Sequence, residues 1–179
     1  MTLSQLAAVA VIEKDDEEAR KLLKHWVKVY PRSTGARIML AQYLFHQKEP
    51  KRALEELQRP PAIDTDVAAY HKLLGEIYFS LGAPASAASS FSKLITISPK
   101  SVEGHVWLAR IARRMKQPRR MRDYLLAALE VDPQNEDAKR MLIKNYLESD
   151  DYDQAQKLVE ELKSRKPFDA DVRLLVATV

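Results

Sequence analysis

The residues of this sequence best suited to chemistry are a run of cations beside one tryptophan. Between Glu103 and Arg122 seven side chains are basic and one is acidic, although the whole chain has a formal net charge of only +4. The basic residues are Arg110, Arg113, Arg114, Lys116, Arg119, Arg120 and Arg122, and they follow Trp107. Guanidinium groups bind carboxylates and phosphates through paired hydrogen bonds. The run therefore predicts either an acidic partner or a charged face that contacts solvent alone.

Four histidines are the other candidates for catalysis or metal binding: His25, His46, His71 and His105. His71 and His105 are 34 residues apart, which predicts equivalent places on neighbouring helices whose axes lie roughly 10 Å apart. Zinc to nitrogen bonds measure about 2 Å, so one metal ion would not bridge that distance. Because Leu3, Arg37 and Lys139 share this register, we expect a partly exposed position that tolerates many side chains, without a metal ion.

The sequence has no recognisable catalytic motif. It contains no cysteine, which excludes thiol catalysis, disulfides and cysteine-ligated zinc, and fits both a cytoplasm and a periplasm. It has no nucleophile elbow, phosphate loop or HExxH motif, and its four glycines are too scattered to surround a phosphate. No apolar run approaches the roughly 18 residues of a membrane span. We therefore predict a soluble, non-enzymatic protein without a cofactor or small-molecule substrate, and leave its compartment open.

The elements that must position these side chains recur with a period of 34 residues. Four ladders of equivalent positions are, in order, leucine, small, large apolar and alanine: Leu6, Leu40, Leu74, Leu108 and Leu142; Ala7, Ala41, Gly75, Ala109 and Ile143; Leu23, Leu57, Phe91, Leu125 and Val159; Ala19, Ala53, Ala87, Met121 and Ala155. Apolar residues recur at three- and four-residue steps within each period, which is typical of two amphipathic helices. The period predicts helix pairs that bury their apolar faces by stacking.

These residues resemble the tetratricopeptide repeat family. The resemblance rests on the leucine followed by a small residue, the tyrosine at Tyr78 and Tyr146, the alanine of the second helix and a closing proline. It covers the chain as five repeat units, residues 1–33, 34–67, 68–101, 102–135 and 136–169, with a partial helix over 170–179. It implies an all-α, right-handed superhelical solenoid of helix-turn-helix pairs, forming a single array over residues 1–179. More narrowly, the sequence resembles bacterial envelope and exopolysaccharide-system repeat proteins.

The resemblance also implies a protein-interaction scaffold whose first helices line a concave groove for a peptide or partner protein. The groove contacts that it implies are Phe45, Phe79, Trp107, Arg110, Arg113, Arg114, Arg140, Met141 and Lys144. This order is apolar first and basic afterwards, which favours a partner with an apolar anchor followed by acidic residues. Of the lysine and asparagine clamp that binds chaperone tails, Lys72 matches, but Glu76 and Trp107 replace both asparagines. We therefore do not expect a chaperone tail as the ligand.

Two other functions remain open at this point. One is binding of RNA or an acidic polysaccharide through residues 110–122, although Trp107 is the one tryptophan, tyrosine or phenylalanine between Glu103 and Arg122. Single-strand binders usually have several stacking aromatic residues, so a peptide is favoured over nucleic acid. The other is self-assembly through the apolar residues Val172, Leu175 and Val176 near the end of the sequence. They begin a sixth unit, from which we expect this chain to be part of a longer protein.

Two departures from the repeat predict local irregularities. Pro60 and Pro61 fall inside the second helix of the second repeat unit, so that helix should end near Arg59. Met121 replaces alanine in the fourth repeat unit, which should widen the spacing between the two helices there.

Overall fold

The computed structural model describes residues 1–60 and 63–165, and within them the chain forms helices joined by turns and short irregular segments, with no strand. The helices are α1 (Leu3–Ile12), α2 (Asp16–Val29), α3 (Thr34–His46), α4 (Pro50–Gln58), α5 (Ala68–Ser80), α6 (Pro84–Ile97), α7 (Val102–Arg114), α8 (Pro118–Val131), α9 (Glu136–Leu147) and α10 (Tyr152–Arg165). Consecutive helices pack in pairs, from α1 with α2 to α9 with α10. In this described part of the chain, none combines the length and apolar character that crossing a membrane requires.

The chain divides into two compact bodies, Met1–Ser98 and Pro99–Val179. A core in the N-terminal body joins α1 to α5 and includes Leu23, Leu40 and Ile77. A core in the C-terminal body joins α7, α8, α9 and α10, and includes Leu125 and Leu142. The assignment of residues 1–179 to a single array stays a prediction.

The same left-handed turn follows the first helix of every pair. One residue in each turn has a positive φ, at intervals of 34 residues: Lys14 (59°), Lys48 (63°), Gly82 (76°), Lys116 (55°) and Asp150 (56°). In each turn the next amide donates to the carbonyl five residues earlier, as from Ala83 to Tyr78 at 2.9 Å. This is the Schellman arrangement, which satisfies carbonyls at a helix C-terminus. Glycine adopts this φ without steric cost, and Gly82 is the one glycine among the five.

Helix starts are also set by residues that recur. Ser33, Ser101 and Asn135 precede α3, α7 and α9, and each side chain accepts a hydrogen bond from the amide three residues later. Asp15 caps α2 in the same way. Proline occupies the first position of α4, α6 and α8, where its missing N–H removes no helical hydrogen bond.

The predicted early end of the second helix in the second repeat unit, near Arg59, is confirmed. Helix α4 ends at Gln58 after 9 residues, and Arg59 is extended, with ψ of 138°. The cause is Pro60, since the residue before a proline is disfavoured in the helical region. Met121 is buried in the core of the C-terminal body, while the wider helix spacing expected around it stays a prediction. The partial helix predicted over 170–179 and the expected contribution of Pro61 lie outside the described residues.

Helices α5 and α6 pack closely where Gly75 meets Phe91. A Cβ added to Gly75 would lie 2.6 Å from a ring carbon of Phe91, whose side chain is fully buried. Overpacking of this kind costs about 1–3 kcal/mol, which exceeds the roughly 1 kcal/mol that alanine gains over glycine in a helix. Gly75→Ala should therefore lower the free energy of unfolding measured by urea denaturation.

Gly35→Ala is the matched control, because its new Cβ would meet no atom closer than Ser33 Oγ at 4.0 Å. Alanine should be neutral or stabilising at that position. Equal stability changes in the two variants would contradict the close contact between Gly75 and Phe91.

Candidate functional site

Arg110 connects the exposed faces of α7 and α9 in the C-terminal body. Its guanidinium lies 5.0 Å from the centroid of the Trp107 ring, one helical turn earlier. Its Nη2 atom also lies 4.0 Å from Oδ2 of Asp137, at the start of α9. Arg110, one of the predicted groove contacts, is thus close to the first turn of α9. We call the side chains of Trp107, Arg110, Arg140, Met141 and Lys144 the α7–α9 surface.

The α7–α9 surface is accessible to a ligand. Trp107, Arg110, Arg140 and Met141 are half-buried, and Lys144 is exposed. Half-burial is favourable for binding, because the base of each side chain is fixed while its polar or apolar end remains available. Val106, the residue before Trp107, is buried in the core. The role of Trp107 and Arg110 in binding stays a prediction.

Carboxylates partly neutralise this surface. Asp137 faces Arg110, and Glu136 lies 3.8 Å from Arg140 within the same helix. The Asp137 side chain is 74% exposed, and ion pairs of that kind contribute about 0–1 kcal/mol. A ligand carboxylate that makes a paired hydrogen bond to Arg110 can therefore displace Asp137 at small cost.

The basic run does not act as one patch, because Arg122 serves the fold. Its guanidinium lies 4.7 Å from the ring centroid of Tyr146, and its Nε donates to Oδ1 of Asn145 at 3.2 Å. Asn145 is fully buried, and its amide donates to the carbonyl of Pro118 at 3.1 Å. These contacts connect α8 to α9. The other cations at the end of α7 and the start of α8 are exposed: Arg113, Arg114, Lys116, Arg119 and Arg120.

The two phenylalanines predicted as contacts lie in the N-terminal body. Phe45 on α3 and Phe79 on α5 are both half-buried. Phe45 packs against the core of that body, and its ring centroid lies 6.3 Å from that of His46. Their role as binding residues stays a prediction.

The structure contradicts one expectation for the equivalent positions that include His71 and His105. Arg37 is 1% exposed and Lys139 is 3% exposed, so the prediction of a partly exposed, tolerant position was wrong for both. Each long side chain crosses to the second helix of its pair or to that helix's end. Arg37 donates to the carbonyls of Pro31 and Arg59, and Lys139 Nζ lies 2.6 Å from Oε1 of Glu161. Polar side chains recur at this position of the repeat, and that recurrence was the sequence signal that could have predicted a structural role.

His71 and His105 are half-buried at that register, and the Nδ1 atom of each is buried without a hydrogen-bond partner in the described residues. Burial lowers the pKa of both imidazoles from the usual 6.5. Lys93 lowers that of His71 further, whereas Asp66 and the backbone of Thr65 oppose the shift. Glu130 opposes it at His105. Over residues 1–60 and 63–165, no three acidic or histidine side chains lie close enough together to hold a metal ion.

Comparisons with known proteins agree with the helix pairs. Two family models described as tetratricopeptide repeat match this sequence, one over residues 10–77 and 122–179 and the other over 68–101 and 102–135. None of the curated proteins is a significant match.

Several solved structures share the fold. MamA has a TM-score of 0.81 at 16% identity, with 94% of this chain and 92% of that chain covered. PilF of Pseudomonas aeruginosa has a TM-score of 0.81 at 19% identity, with 97% and 79% covered. YrrB, described as a TPR protein with an unusual peptide-binding site, has a TM-score of 0.70 at 18% identity, with 84% and 77% covered. This likeness confirms the predicted all-α repeat fold.

The neutral, half-buried histidines predict a pH dependence of stability. Because folding lowers their pKa, the unfolded chain binds more protons than the folded chain once the pH falls to about 6.5 and below. The contribution of neutral His71 and His105 to the free energy of unfolding is therefore fully present above that pH. It is lost as the pH falls through the pKa values that these histidines have in the folded chain. His71→Gln/His105→Gln should show a smaller drop in melting temperature between pH 7.5 and pH 5.5 than the parent protein.

His25→Gln/His46→Gln serves as the control, because both of these side chains are exposed. Its drop in melting temperature should equal that of the parent protein. An equal drop in melting temperature in all three proteins would show that His71 and His105 do not cause the pH dependence, and would contradict this prediction.

Proposed function

Because the chain belongs to the tetratricopeptide repeat family, we propose that it is a non-enzymatic protein-interaction scaffold whose α7–α9 surface binds an acidic segment of a partner protein. Proteins of this fold are in general scaffolds for protein interaction. The proposal adds the chemical character of the partner and the surface that it contacts.

The stacking of Arg110 on Trp107 carries the proposal. The indole ring holds the guanidinium 5.0 Å from its centroid, so less side-chain entropy is lost when a carboxylate binds. Arg140 and Lys144, on the neighbouring helix, supply two further cations. Met141, on the same helix, supplies a flexible apolar contact. A peptide with two or more carboxylates around one apolar side chain complements this arrangement.

Two other groups of residues belong to the proposal. Arg113 and Arg114 are exposed at the end of α7, where they extend the reach of the surface toward further carboxylates. In the N-terminal body, we assign Phe45 and Phe79 as contacts for apolar side chains of a partner. The description of YrrB as having a peptide-binding site supports a peptide as a ligand class for this fold.

A polyanion is the second candidate, and the five exposed cations Arg113, Arg114, Lys116, Arg119 and Arg120 favour it. Binding to phosphates weakens steeply with salt and is insensitive to peptide sequence. The α7–α9 surface, by contrast, offers apolar groups that a phosphate chain would not use. The residues considered for self-assembly, Val172 to Val176, lie outside the described part of the chain.

Charge reversal on α7 tests the proposal. The probe is the acetylated and amidated peptide EELEEL, titrated into ¹⁵N-labelled protein while backbone amide shifts of α7 and α9 are recorded. In the Arg110→Glu/Arg114→Glu variant, the apparent Kd obtained from these amide shifts should rise at least tenfold. Loss of one charge-assisted contact already costs about 1.5–3 kcal/mol. The circular dichroism melt should stay close to that of the parent protein.

Arg119→Glu/Arg120→Glu is the matched control, since it changes the charge equally within the same basic run. It should leave the Kd within about twofold, as both side chains lie on α8. Equal weakening by both variants, or an equal response to poly(U) that disappears at higher salt, would contradict the peptide assignment and support polyanion binding.

A further inference from the structure

The N-terminal body contains an open cleft of about 1090 Å³ between α2 and α4, with α3 forming its base. We call it the α2–α4 cleft. Lys24 and Lys28 lie on the α2 side, Arg52 and Arg59 on the α4 side, and Arg37 at the base. All of these residues belong to the N-terminal body, and none of them is part of the surface proposed above.

The cleft exists because α4 is short. Helix α2 has 14 residues and α4 has 9, since Pro60 ends α4 more than one turn early. Helix α4 therefore forms one wall of the cleft only as far as Gln58. The base is lined by Val27, Leu40 and Leu44, core side chains that are 9%, 3% and 6% exposed.

The charge around the cleft is unbalanced. Six cations line it against two carboxylates, Glu55 and Glu56. Arg20 and Arg52 both pair with Glu49, and Arg59 lies 3.5 Å from Glu56. The remaining three cations are Lys24, Lys28 and Arg37, and none of them forms an ion pair with any described residue.

Arg37 gives the independent sign of a missing anion. Its side chain is 1% exposed, its two terminal nitrogens donate to the carbonyls of Pro31 and Arg59, and its Nε has no partner among the described residues. A buried charge without a counter-ion is costly unless hydrogen bonds or an opposite charge compensate it. The two carbonyls compensate only part of that cost. A carboxylate bound in the cleft would supply the opposite charge.

We propose that the α2–α4 cleft is a second binding site, for an acidic peptide segment that inserts one apolar side chain between the cationic walls. The volume slightly exceeds the roughly 300–1,000 Å³ typical of pockets for drug-sized ligands, which suits several residues of a peptide. The apolar base distinguishes such a segment from a phosphate polymer. A scaffold with this site can hold a second acidic segment in addition to the one on the α7–α9 surface.

The test uses the amide shifts of α2 and α4 during titration of the intact ¹⁵N-labelled chain with EELEEL. We expect saturable shifts in these helices and an apparent Kd at least tenfold weaker in Lys24→Glu/Lys28→Glu. The control Lys93→Glu/Lys100→Glu makes the same charge change at exposed positions outside the cleft, and should change the Kd by less than about twofold. Circular dichroism melts of both variants verify that the fold is retained.

The outcomes at the two sites are separable, because each site is read from its own amides. Arg110→Glu/Arg114→Glu should leave the shifts of α2 and α4 unchanged, whether or not the α7–α9 surface binds. The cleft proposal is overturned if α2 and α4 show no saturable shift, or if the Lys24→Glu/Lys28→Glu variant binds as the control does. Equal binding of QQLQQL, or of inorganic polyphosphate, would likewise overturn the assignment of an acidic peptide with an apolar anchor.

Discussion

The fold depends on the fit between one small and one large side chain within each helix pair. Gly75 and Phe91 show it most directly, because the ring of Phe91 occupies the space that a Cβ on residue 75 would need. The same two registers hold a small and a large residue in three other pairs, namely Ala7 with Leu23, Ala41 with Leu57, and Ala109 with Leu125. In the last pair the sizes are inverted in compensation: Ile143 is the largest of the small ladder, and Val159 is the smallest of the large one. All ten residues are buried. Close packing of this kind leaves little tolerance for changes of volume.

This constraint separates the residues that fold the chain from those that are available to bind. Positions of the first helices that lie outside the core can carry the side chains that a partner requires. On α7, Leu108 and Ala109 are buried, whereas Trp107 and Arg110 are half-buried. Binding specificity can therefore differ widely between proteins of this fold, and the fold alone does not identify a partner.

The sequence predicted the features that follow from apolar periodicity and from proline, and failed where polar residues have structural roles. The sequence predicted the ladders, the helix pairs and the early end of α4. These features depend on apolar spacing and on the backbone restriction before proline, and both can be recognised within a short segment of sequence. The left-handed turns were not recognised, since lysine or aspartate occupies four of the five positive-φ positions. Arg37 and Lys139 were taken as exposed because long charged side chains usually are. The α2–α4 cleft was also missed, because it results from a turn of helix that is absent.

The binding role of the α7–α9 surface stays a prediction, although its residues lie on adjacent, accessible faces.

The most direct measurement of the central claim is the fluorescence of Trp107 alone. Trp26→Phe leaves Trp107 as the sole tryptophan, and its indole lies under Arg110, where the acidic peptide is proposed to bind. If the acidic peptide binds beside Trp107, EELEEL should cause a saturable change in emission that persists at about 150 mM salt, where the Debye length is about 8 Å, and QQLQQL should cause none. An unchanged emission, or an equal change with poly(U) that vanishes as salt rises, would contradict the proposal.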